Sequence, residues 1–169
     1  MTSRTLLFFV VILFSGNSLA ALPAGVITRP GTLAPALVLK DADKGDFDLA
    51  KEKGRWVMVH FWASWCRPCQ REIPTIQKMI RQIDRSKLKL VMINTAETED
   101  EVFIFLTSHA TELDSYLDRN GSITERWQPR GLPSSFFVDP EGKIRFLALG
   151  GRPWDQKEYL DFLKGLYAH

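Results

Sequence analysis

The chain has 169 residues, a formal net charge of +2 and 45% apolar residues. Its charges of both signs are scattered, with no basic cluster that would suit nucleic acid and no acidic tail that would read as disorder. That apolar fraction can fill a core without a stapling disulfide, which weakens a purely structural role for the only two cysteines, Cys66 and Cys69.

In chain order, residues 1–4 give a short positive start and residues 5–14 an almost wholly apolar run. Small and polar residues follow, with Ser18 and Ala20 at the −3 and −1 positions of a signal-peptidase site. The run is about ten residues, against the roughly 20 needed to span a bilayer. Cleavage after Ala20 is therefore expected, with an uncleaved anchor as the competing reading. Export places the cysteines where disulfides persist. About 149 residues remain, one domain's worth. Residues 21–33, rich in Pro and Gly, read as a linker or lead-in, and the domain as residues 34–167.

Residues 37–39 suggest a short strand and residues 47–49 a second apolar stretch. Residues 56–62 are nearly continuously apolar, as in a central strand covered on both faces. A helix is expected over residues 70–85 and a second buried strand over 88–94. Thr98 and Glu101 have capping-box spacing, which predicts a helix running to about His109. A weak strand near residues 113–117 and a brief helix over 122–127 come next. Residues 135–138 and 143–149 flank Asp139-Pro140-Glu141-Gly142 as a β-hairpin. Residues 154–167 close the chain as an amphipathic helix. This order gives an α/β class with a mixed central sheet, helices on both faces and a short N-terminal strand extension.

The chemistry sits in Trp65-Cys66-Arg67-Pro68-Cys69, at the junction of the first central strand and the helix behind it. A Cys-x-x-Cys pair there reads as a thiol–disulfide exchange site. Unpaired N–H groups and the helix dipole favour negative charge on Cys66, and Arg67 adds a cation. Pro68 suits a first helical turn because it has no N–H to leave unsatisfied. Cys66 is thus the expected nucleophile, and Cys69, one turn further in, the resolving thiol. A structural zinc needs about four ligands, but the chain has no second cysteine pair, and His60, His109 and His169 form no cluster. No cofactor or metal is expected; Cu(I) on the two thiolates is a minority alternative. Trp65 is expected to cover the pair, while Trp62, Trp127 and Trp154 read as core.

Two blocks carry a family resemblance. They are Val59-His60-Phe61-Trp62-Ala63-Ser64-Trp65-Cys66-Arg67-Pro68-Cys69-Gln70-Arg71-Glu72-Ile73-Pro74 and Gly131-Leu132-Pro133-Ser134-Ser135-Phe136-Phe137-Val138. The chain resembles thioredoxin-fold proteins, specifically the exported TlpA-like and ResA-like thiol–disulfide oxidoreductases. The resemblance implies a cis bond before Pro133, a loop packed against the cysteine pair, and a Leu132 backbone open to a substrate strand. It also implies a glutamate near the pair that shuttles or modulates the proton on the buried thiol, which Asn94-Thr95-Ala96-Glu97 suggests is Glu97; a solvated acid at a helix N-terminus is the competing reading. His60 stands where thioredoxin has a buried aspartate, so either a proton-passing imidazole or a satisfied core histidine is expected.

The implied function is reduction of a client protein disulfide, with recharging by a membrane thiol donor. Cytochrome c maturation or copper-centre assembly is the expected context, and a monomer with no nucleic-acid partner the expected form. A disulfide-forming oxidant is the alternative, separated from a thioredoxin-like reductant by about 150 mV, or about 7 kcal/mol for two electrons.

Overall fold

The computed structural model describes residues 21–41 and 45–168; the expected leader lies outside them. Eight strands and four helices follow in the order β1 (Val26–Leu33), β2 (Val38–Leu39), β3 (Phe47–Asp48), β4 (Trp56–Trp62), α1 (Arg67–Ile80), β5 (Leu88–Thr95), α2 (Glu99–His109), β6 (Tyr116–Asp118), α3 (Ser122–Trp127), β7 (Ser134–Val138), β8 (Lys143–Leu149) and α4 (Lys157–Gly165). Six strands form one sheet in the order β1-β8-β7-β4-β5-β6, and β2 pairs only with β3. β4, β5 and β6 run parallel, whereas β7, β8 and β1 are antiparallel to their neighbours. This is the mixed sheet the sequence led us to expect.

The continuous apolar run of β4 resolves into two faces with the period of two that a strand imposes. Met58 and Trp62 join α1, α2 and α4 in one cluster with Cys66, Cys69, Ile73, Ile76 and Trp154. Val57, Val59 and Phe61 face the other way, onto Trp127, Phe136, Leu37, Leu39 and Phe47. That second face is covered by the short α3 and by the β2–β3 pair more than by long helices. His60 lies on the α1 side of the strand, and this places an imidazole beneath the helix that carries the cysteines.

Three expectations need correction. Residues 26–33 are not a linker: they pair with β8 as the sheet's edge strand, with the register shifted between Thr28 and Thr32. Pro30 and Gly31 fall in that irregularity, and Gly31 has φ of 79°. Pro is tolerated at an edge or a bulge because no ladder N–H is needed there. The Tyr159 hydroxyl and the Arg152 guanidinium both donate to the carbonyl of Ala24, fastening the segment to the body.

Helix α1 starts earlier and stops earlier than expected. After Arg81, the Asp84 carboxylate takes the N–H and hydroxyl of Ser86, a local bond that competes with continued helix. Helix α4 begins three residues later than expected, with Gln156 as its N-cap, and Trp154 lies fully buried before it. α2 forms as its capping box predicts, with Thr98 and Glu101 bonded reciprocally. Among the described residues, no helix is long and apolar enough to cross a membrane.

Candidate active site

Cys66 and Cys69 are joined as a disulfide at the start of α1. Cys66 is the N-cap residue, and its sulfur accepts the N–H of Cys69 at 3.3 Å. One of the orphan donors of the helix end is therefore aimed at the sulfur that must carry charge after reduction. Cys66 is 6% exposed and Cys69 fully buried, which matches attacker and resolver in order of access. Pro68 lies in the first turn, where its missing N–H costs nothing. Arg67 is exposed beside Cys66. Trp65 is 64% exposed, so it stands next to the pair as a bare apolar surface and not as a closed cover.

The Leu132–Pro133 bond is cis, as the resemblance implied. Pro133 accepts the N–H of Gly150 at 2.9 Å. The neighbouring Gly151 lies against α1 so closely that a Cβ would fall 2.9 Å from the Pro68 carbonyl oxygen. Only glycine fits there without displacing backbone. Through these contacts the Pro133 loop and the Cys-x-x-Cys helix are held side by side, and Leu132 packs on the apolar clusters of both faces.

Glu97 is not the solvated acid at a helix N-terminus that was the competing reading. Capping of α2 falls to Glu101, and Glu97 is 7% exposed. The turn before it explains its direction: Ala96 has φ of 61°, the left-handed region that costs a non-glycine residue about 1–2 kcal/mol. This swings the carboxylate back over the sheet edge. One oxygen accepts the Ser64 N–H at 2.6 Å and the Asn94 side-chain amide at 2.5 Å, and the other accepts the Ser64 hydroxyl. Its bonds fasten the approach to Cys66 and make no contact with either sulfur.

A second buried carboxyl, Glu72, stands one turn beyond Cys69 on the buried stripe of α1. It is 2% exposed. One oxygen accepts the Arg152 N–H at 3.1 Å and the indole N–H of Trp154. The other has no hydrogen bond and faces Nε2 of His60 at 3.8 Å, itself unbonded. Burial drives the Glu72 carboxyl up to about 8, although the Arg152 and Trp154 donors and the Arg152 charge pull the other way. Burial also drives His60 down to about 3. Near neutral pH the two are therefore a neutral acid facing a neutral ring, not an ion pair. The other ring nitrogen of His60 lies 2.8 Å from the Ser135 hydroxyl, its direct cross-strand neighbour in the β4–β7 register.

Sequence reasoning missed Glu72, although a signal existed. Cys69, Glu72, Ile73, Ile76 and Ile80 form one apolar helical stripe, and an acid on such a stripe must be buried. Trp154 was read as core, which is correct, but its indole N–H also holds Glu72. Among the described residues, no three His, Cys, Asp or Glu side chains stand together as a metal site.

A cleft of about 430 Å³ opens beside the disulfide, lined by Pro68, Arg71, Glu72, Thr75 and residues 150–153. A cavity of similar size, about 440 Å³, lies near Arg55 and Leu88, at the strand ends opposite the cysteines.

Fold and site together define a thioredoxin-fold protein with a redox-active dithiol. Residues 30–147 match the model of the AhpC/TSA family, and the chain belongs to that family. It is 28% identical over 168 residues to the thiol-disulfide oxidoreductase ResA of Bacillus cereus, covering 95% of this chain and 97% of that one. The alignment with ResA of Bacillus subtilis is 29% identical over 114 residues, covering 68% of this chain and 64% of that protein. Among solved structures, a Chlorobium tepidum protein described as a thiol:disulfide interchange protein DsbE superposes with a TM-score of 0.68 at 28% identity, covering 79% of this chain and 96% of that one. The chain is a thiol–disulfide oxidoreductase of this ResA and DsbE type.

Proposed function

We propose that the protein is an exported reductase of a specific client protein disulfide, recharged by a membrane thiol donor. The observation that carries it is the Cys66 sulfur at the N-cap of α1, the more accessible of the two cysteines and supplied with the Cys69 N–H. Two features support it: the leader-like residues 1–20 and the resemblance to ResA.

In the reduced protein the Cys66 thiolate attacks one client sulfur. A Cys66–client bond forms, the client S–S bond breaks, and the departing client sulfur leaves as a thiolate. Cys69 then gives up its proton and attacks the Cys66 sulfur, forming the Cys66–Cys69 disulfide and releasing the second client thiolate. Two electrons pass to the client, and the protons of the dithiol end on the client thiols.

Glu72 is the proposed proton partner of Cys69: its ionised fraction, about a tenth at pH 7, takes the Cys69 proton, and its neutral form returns one when the disulfide is recharged. A carboxyl at about 8 is close to the ordinary thiol value of about 8.5, so the proton can move in either direction at small cost. Arg67 favours the Cys66 thiolate, and Leu132 and Pro133 receive the client strand. Glu97 acts through Ser64 as a positioning residue, and Trp65 offers the client an apolar contact. No cofactor beyond the dithiol is required.

The test is a Cys69→Ser variant, which should trap the client as a mixed disulfide, together with a redox titration against dithiothreitol. A potential near the thioredoxin value of about −270 mV is expected, and one near −120 mV would overturn the reductase direction.

A further inference from the structure

The geometry points to a client whose cystine is flanked by acidic side chains, recognised by an arginine rim around the cleft beside the disulfide. This inference rests on the oxidoreductase reading and adds the chemistry of the partner. Arg67 is the first residue of α1, and Arg71 follows four residues later, on the same helix face. Both are exposed, and neither meets a carboxylate among the described residues. Arg71 lines the cleft together with Arg152. The Arg152 guanidinium is held by the carbonyls of Leu149, Gly150 and Ala24, which fix its position but leave its charge unneutralised. Arg130, also exposed, directly precedes the Gly131-Leu132-Pro133 loop, whose Pro133 carbonyl takes the N–H of the cleft residue Gly150.

The acids near the site do not cancel this charge. Glu72 is the one acid lining the cleft, and it is buried and held neutral. Glu97 is turned inward onto Ser64 and Asn94. On a chain whose formal net charge is only +2, cations gathered at one edge make a local field. Such a field speeds encounter with an oppositely charged partner by about 10- to 1,000-fold and is screened by salt. The exposed Trp65, two residues before Arg67, supplies an apolar contact beside these cations.

The test uses the reduced protein and two model peptides with the same disulfide, one flanked by glutamates and one by lysines. Exchange rates are measured by stopped flow at low and high salt. The readout is the ratio of the two rates, in which any change in the reactivity of Cys66 cancels. The acidic peptide should react about 10-fold faster at low salt. That ratio should shrink toward one at high salt and fall several-fold in an R71A/R130A double variant, both exposed positions. Equal rates at low salt overturn the rim and leave the oxidoreductase reading standing. A ratio unmoved by the double variant also overturns it, and exchange with neither peptide overturns both readings.

Discussion

Two buried glutamates flank the cysteine pair, and their surroundings fit them for opposite work. Glu97 has donors on both oxygens: the Ser64 N–H and hydroxyl and the Asn94 amide. Glu72 has its donors on one oxygen only, and the other faces His60 without a bond. Burial is similar, at 7% and 2% exposed, so burial does not decide between them. Bond supply does. A carboxylate with every oxygen bonded is a clamp, whereas one with an idle oxygen in apolar surroundings stays neutral and can exchange a proton.

The largest expected effect sets the baseline for that comparison. Cys66→Ser should abolish exchange in a peptide-disulfide assay while leaving the fold intact. Next comes Glu97→Ala, which strips the Ser64 and Asn94 donors of their acceptor. A loss of about 3 kcal/mol, or roughly 10 °C in melting midpoint, is expected by calorimetry. The pH profile of exchange should keep its shape, and a displaced profile would give Glu97 the proton role after all.

Glu72→Gln should do the reverse. The folded carboxyl is raised from 4.5 to about 8, so its contribution to stability is fully present below pH 4.5 and lost as pH rises through 8. His60 is lowered from 6.5 to about 3, so its contribution is present above pH 6.5 and lost as pH falls through 3. Between pH 6.5 and 8 only Glu72 changes, and the wild type should lose about 2 kcal/mol across that window. Urea unfolding of Glu72→Gln should show no such fall, and its exchange rate should lose a titration near pH 8. His60→Asn should act at the other end, flattening the acid limb between pH 3 and 4.5 by up to about 2 kcal/mol. A variant that altered the alkaline limb as strongly would mean that the two groups titrate as one.

Much of this arrangement was legible before the structure. The β4 run, the capping box of α2, the β7–β8 hairpin and the Cys-x-x-Cys junction each follow from local chemistry. The edge strand β1 was not, because Pro30 and Gly31 interrupt its pattern and only pairing with β8 makes it a strand. Glu97 was placed in the right segment, but its burial was not legible, since its inward turn depends on the left-handed backbone of Ala96. Glu72 was hidden in plain view on the apolar stripe of α1. What made it significant, Trp154 and Arg152, lies some 80 positions away in sequence.

The most direct test is the titration of Glu72 itself. Carbon-13 NMR of its side-chain carboxyl in the oxidised protein, assigned by comparison with Glu72→Gln, should give a midpoint near 8. A midpoint between 4 and 5 would put the carboxyl about four units below the ordinary thiol value, and would contradict its role as a proton partner matched to Cys69.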